Sequence, residues 1–309
     1  MMISTSLAPQ DSPYVVVFAG PNGSGKTSLI DEVKKTGLAA LGGIFPIPTH
    51  FINPDQVAKD LTGDYASQED HDRAAQNTAI QMRLTAIENH QTFAFETVMS
   101  HTSRINELVS LKNQGYHVLL VFITTDDPEK NVLRVIDRYQ SKTTTGHFVA
   151  PDKVRERYQR TLALLPKAVE IADAAFVYDN SVDYEKASLQ ALIDPTTFSL
   201  NDQAKPWVNE KLVARLQSRE LQLHNIAFDE DVPLSQYDAD VLKGDYTGSI
   251  LLITEDYIVQ MDSVTGRKVL HDRLILDTSA DSVHIYRIDE NLRIVYTVDS
   301  APSIYILDR

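Results

Sequence analysis

The chain contains no cysteine among its 309 residues. Disulfide bonds, thiolate metal sites and cysteine nucleophiles are therefore excluded together. No apolar run approaches the roughly 20 residues that a membrane-spanning helix requires. Residues 1–10 also lack the basic region and apolar stretch of a secretory signal. These absences predict a cytoplasmic protein without a membrane partner.

The chain is acidic, with a formal net charge of −14. A strongly acidic surface repels nucleic-acid backbones and anionic lipids, so we expect neither as a partner. Residues 130–167 are the exception, because they carry nine lysines and arginines against three acids. These cations are Lys130, Arg134, Arg138, Lys142, Lys153, Arg155, Arg157, Arg160 and Lys167. This basic segment is where we expect an anionic substrate to bind.

Short apolar runs alternate with helical patterns over residues 12–195. Continuous apolar runs of this length indicate parallel strands buried on both faces. The predicted strands cover residues 14–19, 50–52, 92–96, 116–123 and 174–178, the last being the final strand. Helices are predicted between them, at 26–35, 54–61, 67–90, 105–115, 128–139 and from 151 onward. The alternation predicts an α/β fold in which a parallel sheet is flanked by helices.

The pattern changes after residue 200. One helix is predicted at 205–224, followed by an acidic linker at 229–240. Apolar residues then recur with a period of two, which is typical of strands in an antiparallel sheet. These runs are 249–254, 257–261, 282–288, 292–298 and 303–307, and His271 and Asp272 are expected in a strand connection. The sequence therefore predicts three parts: an α/β domain at 1–198, a helix and linker at 199–240, and a small, mainly antiparallel β domain at 241–309.

Residues 20–27 match the phosphate-binding loop pattern GxxxxGK[ST] in full. The glycines let backbone N–H groups approach a phosphate closely, and the helix that follows adds the positive end of its dipole. In this pattern the lysine, Lys26, contacts the β- and γ-phosphates, and the hydroxyl of Thr27 binds Mg²⁺. The predicted nucleotide-binding residues are Gly20, Asn22, Gly23, Ser24, Gly25, Lys26, Thr27 and Ser28. Because the pattern lies between a predicted strand and a predicted helix, we expect a P-loop NTPase fold.

The phosphate loop alone does not distinguish kinases from GTPases or motor ATPases. The chain has no NKxD motif of the kind that reads a guanine base. Asp126 and Asp127 follow the strand at 116–123, but we interpret them as turn and capping residues before Pro128 rather than as Mg²⁺ ligands.

Two carboxylates near predicted strand ends favour a kinase. Asp55 follows the second strand, at the sheet edge where open α/β folds bind ligands, and could take a proton from an acceptor hydroxyl. Its alternative role is a favourable charge in the first turn of a helix. Glu96 ends the third strand beside Thr97, where it could orient the acceptor or hold Mg²⁺ through water. The alternative for Glu96 is a solvated strand end.

The basic segment also favours a kinase. Arg134, Arg138 and Lys142 are spaced to form one stripe on a helix, and Lys153, Arg157 and Arg160 form a second stripe. The loop between these helices contains Gly146 and His147. Such an arrangement resembles a lid that closes over a triphosphate, with arginines that neutralise charge on the transferred phosphoryl group. The alternative is two solvated faces paired with carboxylates.

Taken in order, these stretches resemble the zeta-toxin family of P-loop kinases over residues 12–185. The matching motifs are GPNGSGKTS at 20–28, FINPD at 51–55, FETVMSH at 95–101, NVLRVIDRYQ at 131–140, GHFVAPDKVRERYQRTLALLPKA at 146–168 and AAFVYDNS at 174–181. More weakly, GDYTGSILLITEDYIVQ at 244–260 and GRKVLHDRLILD at 266–277 resemble the KfrB-type β module of plasmid-encoded proteins.

The resemblance implies an adenylate-kinase-like sheet and ATP- and Mg²⁺-dependent phosphorylation, to toxic effect, of a hydroxyl on a nucleotide-activated small molecule. UDP-N-acetylglucosamine is the acceptor best known for the family, and NAD-like dinucleotides are used by some relatives. The implied roles are phosphate binding for Lys26, Mg²⁺ binding for Thr27, general base for Asp55, substrate contacts for Glu96 and Thr97, lid catalysis for Arg138 with Arg134, and nucleotide contacts for Arg157 and Arg160.

Three other functions remain open on the sequence. The chain could be a metabolic small-molecule kinase with a harmless acceptor, or a non-catalytic ATP-binding module that acts through its C-terminal domain. A polynucleotide kinase is disfavoured by the net charge of −14. The resemblance also leaves open an antitoxin or another partner protein bound through the C-terminal domain.

Overall fold

The computed structural model describes residues 12–40, 43–141, 149–228, 232–278 and 284–307. The chain divides into two compact units. The first contains Met1–Val98, Leu111–Tyr158 and Ile171–Lys205, and the second contains Met99–Ser110, Gln159–Glu170 and Pro206–Arg309. Two segments of the predicted α/β domain are therefore grouped with the C-terminal residues. The division into independent domains at 1–198 and 241–309 stays a prediction.

The first unit is built on a seven-stranded sheet with the order β4-β5-β1-β6-β7-β8-β9. The strands are β1 Tyr14–Ala19, β2 Leu38–Ala40, β3 Gly43–Phe45, β4 Phe51–Ile52, β5 Phe93–Thr97, β6 His117–Thr124, β7 Ala174–Asp179, β8 Ser188–Asp194 and β9 Thr197–Leu200. Strands β4, β5, β1, β6 and β7 are parallel. Strands β2 and β3 form a separate antiparallel pair. The predicted parallel sheet is confirmed.

Helices alternate with these parallel strands, as the sequence predicts. They are α1 Lys26–Thr36, α2 Pro54–Asp60, α3 Gln68–Glu88, α4 Thr102–Asn113, α5 Pro128–Ser141 and α6 Pro151–Ile171. Helix α1 ends at Gly37, whose N–H bonds to the carbonyl of Val33. Helix α3 is capped by Ser67, whose side chain accepts a hydrogen bond from the N–H of Asp70. Across the described residues, no helix has the length and apolar character needed to cross a membrane.

The core of the first unit lies around the three central strands. Residues 15–19 of β1 and 118–123 of β6 are buried throughout, as is the apolar stretch 174–177 of β7. Leu29, Ile30 and Val33 of α1 pack against the same cluster. Because central parallel strands are buried on both faces, their sequences are apolar without alternation. Because β1 is buried in this core, the position where the phosphate loop begins after Ala19 is fixed.

The prediction that residues 174–178 form the final strand of the sheet is wrong. Strand β8 pairs with β7 and β9 pairs with β8, both in antiparallel orientation. These outer strands are partly exposed, whereas β1 is buried along almost its whole length. A strand near an edge needs fewer apolar residues, so its sequence gives a weaker signal. The pair β2 and β3 was missed for a related reason, since each strand has only three residues.

The second unit contains a five-stranded antiparallel sheet with the order β12-β11-β10-β13-β14. Its elements are α7 Pro206–Val208, a π-helical turn Asn209–Val213, α8 Ala214–Asn225, a 3-10 turn Leu234–Gln236, β10 Asp245–Ile253, β11 Tyr257–Asp262, β12 Arg267–Asp272, α9 Arg273–Asp277, β13 Asn291–Val295 and β14 Ser303–Ile306. The predicted helix at 205–224 and the predicted antiparallel sheet are confirmed. The fold class is thus α/β with an additional antiparallel β sheet.

Two predictions in this sheet are wrong. Residues 284–288, the described part of the run 282–288, form no strand. His271 and Asp272 lie in β12 rather than in a connection. The ring of His271 is buried, with Nε2 3.0 Å from Gln260 Oε1 and Nδ1 2.9 Å from the Tyr296 hydroxyl. A strand whose inward residues include paired polar groups does not show apolar alternation, which is why β12 was overlooked.

Candidate active site

The phosphate loop connects the end of β1 to the start of α1. Gly23 and Gly25 adopt positive φ angles of 77° and 93°. A Cβ atom on Gly23 would lie 2.4 Å from the carbonyl oxygen of Asn131, and one on Gly25 would lie 2.1 Å from Nδ2 of Asn180. Both positions therefore require glycine, for backbone conformation and for space. The loop is held tightly against residues from two distant parts of the chain.

Two asparagine side chains hold the loop's carbonyl groups. Asn131 Nδ2 donates to the carbonyl of Asn22 at 2.7 Å, and Asn180 Nδ2 donates to the carbonyl of Ser24 at 2.9 Å. In a trans peptide the carbonyl and the next N–H point in opposite directions. Fixing these carbonyls therefore fixes the N–H groups of Gly23 and Gly25 on the opposite side. Sequence reasoning missed both asparagines, although NVLR and YDNS were already part of the matching motifs.

Ser24 provides a direct test of whether the loop fits a phosphate. Its hydroxyl oxygen is buried and has no hydrogen-bond partner among the described residues. Buried hydroxyl groups are normally paired, so an unpaired one inside a loop of directed N–H groups suits a polar ligand. Thr27 and Ser28 lie exposed in the first turn of α1, where a hydroxyl can reach a metal ion beside the phosphates. The loop residues present fit a nucleotide triphosphate with Mg²⁺.

Lys26 is buried, with 7% of its surface exposed. Its Nζ donates hydrogen bonds to the carbonyls of Gly20 at 2.8 Å and Pro21 at 3.0 Å, and lies 3.8 Å from Glu96 Oε1. Burial lowers the pKa of Lys26; Glu96 and Asp55 oppose this change, and Arg138 adds to it. The pKa of Lys26 is therefore sensitive to three other predicted site residues, which are Asp55, Glu96 and Arg138.

The two carboxylates predicted to face an acceptor, Asp55 and Glu96, both oppose the lowering of the Lys26 pKa in the phosphate loop. Glu96 pairs in register with Phe18 of β1, two residues before the loop begins at Gly20, and Thr97 pairs with Ala19. Asp55 is exposed at the start of α2, and its backbone N–H bonds to the side chain of Asn53. The parallel sheet thus brings the ends of β1, β4 and β5 to one edge, as predicted for ligand-binding residues of an open α/β sheet.

Helices α5 and α6, which carry the predicted lid arginines, pack through Val132, Val135 and Val154. Within the described part of the chain, Arg138 has no carboxylate partner. Arg134 is engaged elsewhere, since it donates to the carbonyl of Asn180 at 2.9 Å and to Asp183 at 2.6 Å. Arg138 contributes to the lowered pKa of Lys26, whereas Arg134 does not. The catalytic roles of both arginines stay predictions.

The remaining lid predictions divide between the two units. Arg157 Nη1 lies 3.3 Å from Asn22 Oδ1 in the phosphate loop. Its predicted contact with a nucleotide stays a prediction. Arg160 belongs to the second unit, where it contributes to a lowered pKa of His101 after burial and Arg104. Lys142, Gly146 and His147 lie outside the described residues.

Part of the basic segment is neutralised by acids. Lys130 pairs with Asp126 at 2.8 Å, and Arg155 pairs with Glu129 at 2.6 Å. For these cations the alternative of a solvated, paired face is correct. Asp127 is a capping residue, as interpreted, because its Oδ1 accepts a hydrogen bond from the N–H of Glu129 at 2.9 Å.

The family model described as Zeta toxin matches residues 2–186. The chain belongs to the zeta toxin family. The match contains the phosphate loop, Asp55, Glu96 and both lid helices, and it ends before β8. Membership in the zeta toxin family supports a phosphotransferase of the kinase class.

Individual relatives are more distant. An uncharacterized protein of Haemophilus influenzae (strain ATCC 51907 / DSM 11121 / KW20 / Rd) is 29% identical over 143 residues, covering 46% of this chain and 91% of that protein. A solved complex of AvrRxo1-ORF1 and AvrRxo1-ORF2 with sulphate ions is similar with a TM-score of 0.48 and 16% identity, over 71% of this chain and 73% of that chain. A structure from the PezAT toxin-antitoxin system of Streptococcus pneumoniae has a TM-score of 0.41 and 16% identity, over 71% of this chain and 90% of that chain.

Proposed function

We propose that this zeta toxin family member is an ATP- and Mg²⁺-dependent kinase that phosphorylates a hydroxyl of a nucleotide-activated small molecule. UDP-N-acetylglucosamine is the first candidate acceptor and an NAD-like dinucleotide the second. The proposal is carried by one observation: the phosphate-loop lysine, Lys26, lies 3.8 Å from Glu96, at the sheet edge that also presents Asp55.

The phosphate loop supplies the nucleotide side of this reaction. The N–H groups of Gly23 and Gly25, together with the Ser24 hydroxyl, would hold the phosphates of ATP, and Lys26 would contact the β- and γ-phosphates. Thr27 would hold Mg²⁺, which when bound neutralises charge on the phosphate oxygens.

The acceptor side supplies the proton chemistry. The acceptor hydroxyl oxygen forms a bond to the γ-phosphorus, and its proton passes to the carboxylate of Asp55. The bond from the γ-phosphorus to the β–γ bridging oxygen breaks, and that oxygen leaves with the electron pair as part of ADP. Glu96 and Thr97 would orient the acceptor. Arg138 would stabilise the charge on the phosphoryl group during transfer.

We further propose that the activity is toxic in the cytoplasm, where ATP and nucleotide-activated sugars are available. PezAT is a toxin-antitoxin system by its description, and an antitoxin or other partner protein is proposed for this chain as well. Expression in a bacterial host should arrest growth, and Asp55→Ala should relieve the arrest. Growth arrest that persists with Asp55→Ala would separate the toxicity from phosphoryl transfer.

The activity itself is tested by incubating the purified chain with ATP, Mg²⁺ and a panel of nucleotide sugars and dinucleotides. Mass spectrometry should show one added phosphate on one class of acceptor, and Lys26→Ala should abolish it. ATP binding without any phosphorylated acceptor would instead indicate a non-catalytic ATP-binding module. Phosphorylation of a DNA or RNA oligonucleotide in a parallel sample would indicate a polynucleotide kinase.

A further inference from the structure

We propose that Asn53 is a positioning residue that holds the general base and the strand-end glutamate in one fixed arrangement. The inference rests on the proposed function, because Asp55 and Glu96 have their roles there. Asn53 lies immediately after β4, which pairs with β5 so that Ile52 is opposite Phe95. The next residues along the two strands are Asn53 and Glu96, which brings their side chains together at the sheet edge.

The amide of Asn53 makes two different hydrogen bonds. Its Oδ1 accepts from the N–H of Asp55 at 2.8 Å, which caps helix α2. Its Nδ2 donates to Glu96 Oε2 at 3.1 Å. The other oxygen of Glu96, Oε1, lies 3.8 Å from Lys26 Nζ. A continuous series of contacts therefore runs from the backbone of the base through Asn53 and Glu96 to the lysine that binds phosphate.

The second hydrogen bond explains why this position carries asparagine. Serine, threonine, aspartate and asparagine all cap helices well through a side-chain oxygen. Of these four, only asparagine accepts at one side-chain atom and donates from another, so it can cap the helix and donate to a carboxylate at a separate position. Pro54 restricts the residue before it to an extended conformation, and Asn53 has φ −128° and ψ 121°. The backbone is thus fixed with the amide directed between α2 and Glu96.

This arrangement should affect the chemical step more than nucleotide binding. The hydrogen bond to Oε2 fixes the rotation of the Glu96 carboxylate, and the cap fixes the first turn of α2 that carries Asp55. Misplacing a reacting group by about 1 Å can lower a rate about 100-fold. The phosphate loop is held separately, by Asn131 and Asn180. Loss of the bond from Asn53 to Glu96 should therefore lower kcat and leave the KM for ATP nearly unchanged.

The test uses the full-length chain and the acceptor found by mass spectrometry. Asn53→Asp keeps the capping oxygen but places a second carboxylate against Glu96. We expect kcat to fall about 100-fold, with the KM for ATP changed less than about twofold. Gln56→Ala is the matched control on the same helix and should retain wild-type activity, because the Gln56 side chain bonds only to Asp60 among the described residues. A thermal unfolding curve for each variant confirms folding.

A double-mutant cycle distinguishes positioning from a general structural effect. Glu96→Gln lowers activity alone, but in Asn53→Asp/Glu96→Gln the new amide can donate to the new carboxylate. The double variant should therefore be no worse than Glu96→Gln alone. Independent, multiplying losses, or wild-type kcat in Asn53→Asp, would overturn the positioning role while leaving the kinase intact. Absence of transfer by the unmodified chain would overturn the proposed function and this inference together.

Discussion

At the scale of single residues, the candidate site depends on amide side chains that carry no charge. Asn131 and Asn180 each donate one hydrogen bond to a carbonyl of the phosphate loop. Asn131 is fully buried, and its Oδ1 accepts a hydrogen bond from the Thr125 hydroxyl. These bonds orient loop N–H groups before any phosphate binds, so part of the ordering needed for binding is already present.

Removing either amide should weaken nucleotide binding. We expect Asn180→Ala to raise the Kd for ATP about tenfold, because one hydrogen bond contributes roughly 0.5–1.5 kcal/mol and 1.4 kcal/mol is a factor of ten. Asn201→Ala removes a comparable bond of 2.9 Å to Leu189 on β8 and should leave the Kd unchanged. Isothermal titration with ATP measures both. An unchanged Kd in Asn180→Ala would contradict the proposed orientation of the loop.

The buried histidine of the second unit predicts a pH dependence of stability. Burial lowers the pKa of His271 to about 3, against about 6.5 in an unfolded chain. Below pH 6.5 the unfolded chain therefore binds a proton that the folded chain does not bind until about pH 3. The free energy of unfolding should fall as pH decreases through this window, by about 1.4 kcal/mol per pH unit for one proton.

Urea unfolding followed from pH 6.5 to 4.5 measures this slope. His101 and His117 also have lowered pKa values, mainly through burial, and add to the slope in the same direction. Comparison with His271→Leu isolates the contribution of His271. The free energy of unfolding of this variant should fall less steeply with decreasing pH, even if the variant is less stable at every pH. An identical slope in the variant would contradict a neutral, buried His271.

At the scale of elements, the second unit is held by a buried ion cluster between α6, α8 and β12. Arg219 of α8 is fully buried and bonds to Glu170 at 2.6 and 2.9 Å and to Asp272 at 2.6 Å. Lys167 lies 3.0 Å from the same oxygen of Asp272. The cluster keeps Asp272 ionised, because Lys167 and Arg219 lower its pKa against the opposing effect of burial.

Breaking this cluster should cost far more than breaking an exposed pair. Arg219→Met leaves Glu170 and Asp272 without their main partner, and removing one member of a buried pair costs about 3–5 kcal/mol. Arg293→Ala removes an exposed pair with Asp245 and should change stability little. Thermal unfolding of both variants decides this. Equal losses would show that the buried cluster contributes no more than a surface pair.

The elements also show what could be predicted from the sequence. Strands β1, β5, β6 and β7 were placed within about one residue of their observed ends, because strands buried on both faces have continuous apolar sequences. Strand β12 was not predicted, because its inward positions include the polar residues His271 and Asp272. The phosphate loop is a contiguous motif, so its position between β1 and α1 could be predicted from the sequence. The contact of Asn131 with this loop could not be predicted, because its partner Asn22 is 109 residues away and offers only a backbone carbonyl.

At the scale of the whole molecule, charge and chain organisation limit what the protein can bind. The net charge of −14 opposes binding of polyanions. Lys130, Arg134 and Arg155 are paired with acids, so fewer cations of the basic segment remain for a phosphate ligand. The first unit holds the phosphate loop, Asp55, Glu96 and Arg138. A small, triphosphate-bearing ligand suits this arrangement better than a nucleic acid.

We propose that Asp55 accepts the proton of an acceptor hydroxyl beside the phosphate held by Lys26. The direct test is single-turnover phosphoryl transfer by Asp55→Asn at saturating ATP and acceptor, compared with the unmodified chain. General-base catalysis contributes about 10²–10⁴-fold, so the transfer rate should fall by about that factor while the Kd for ATP stays unchanged. Transfer at the wild-type rate in Asp55→Asn would contradict this account.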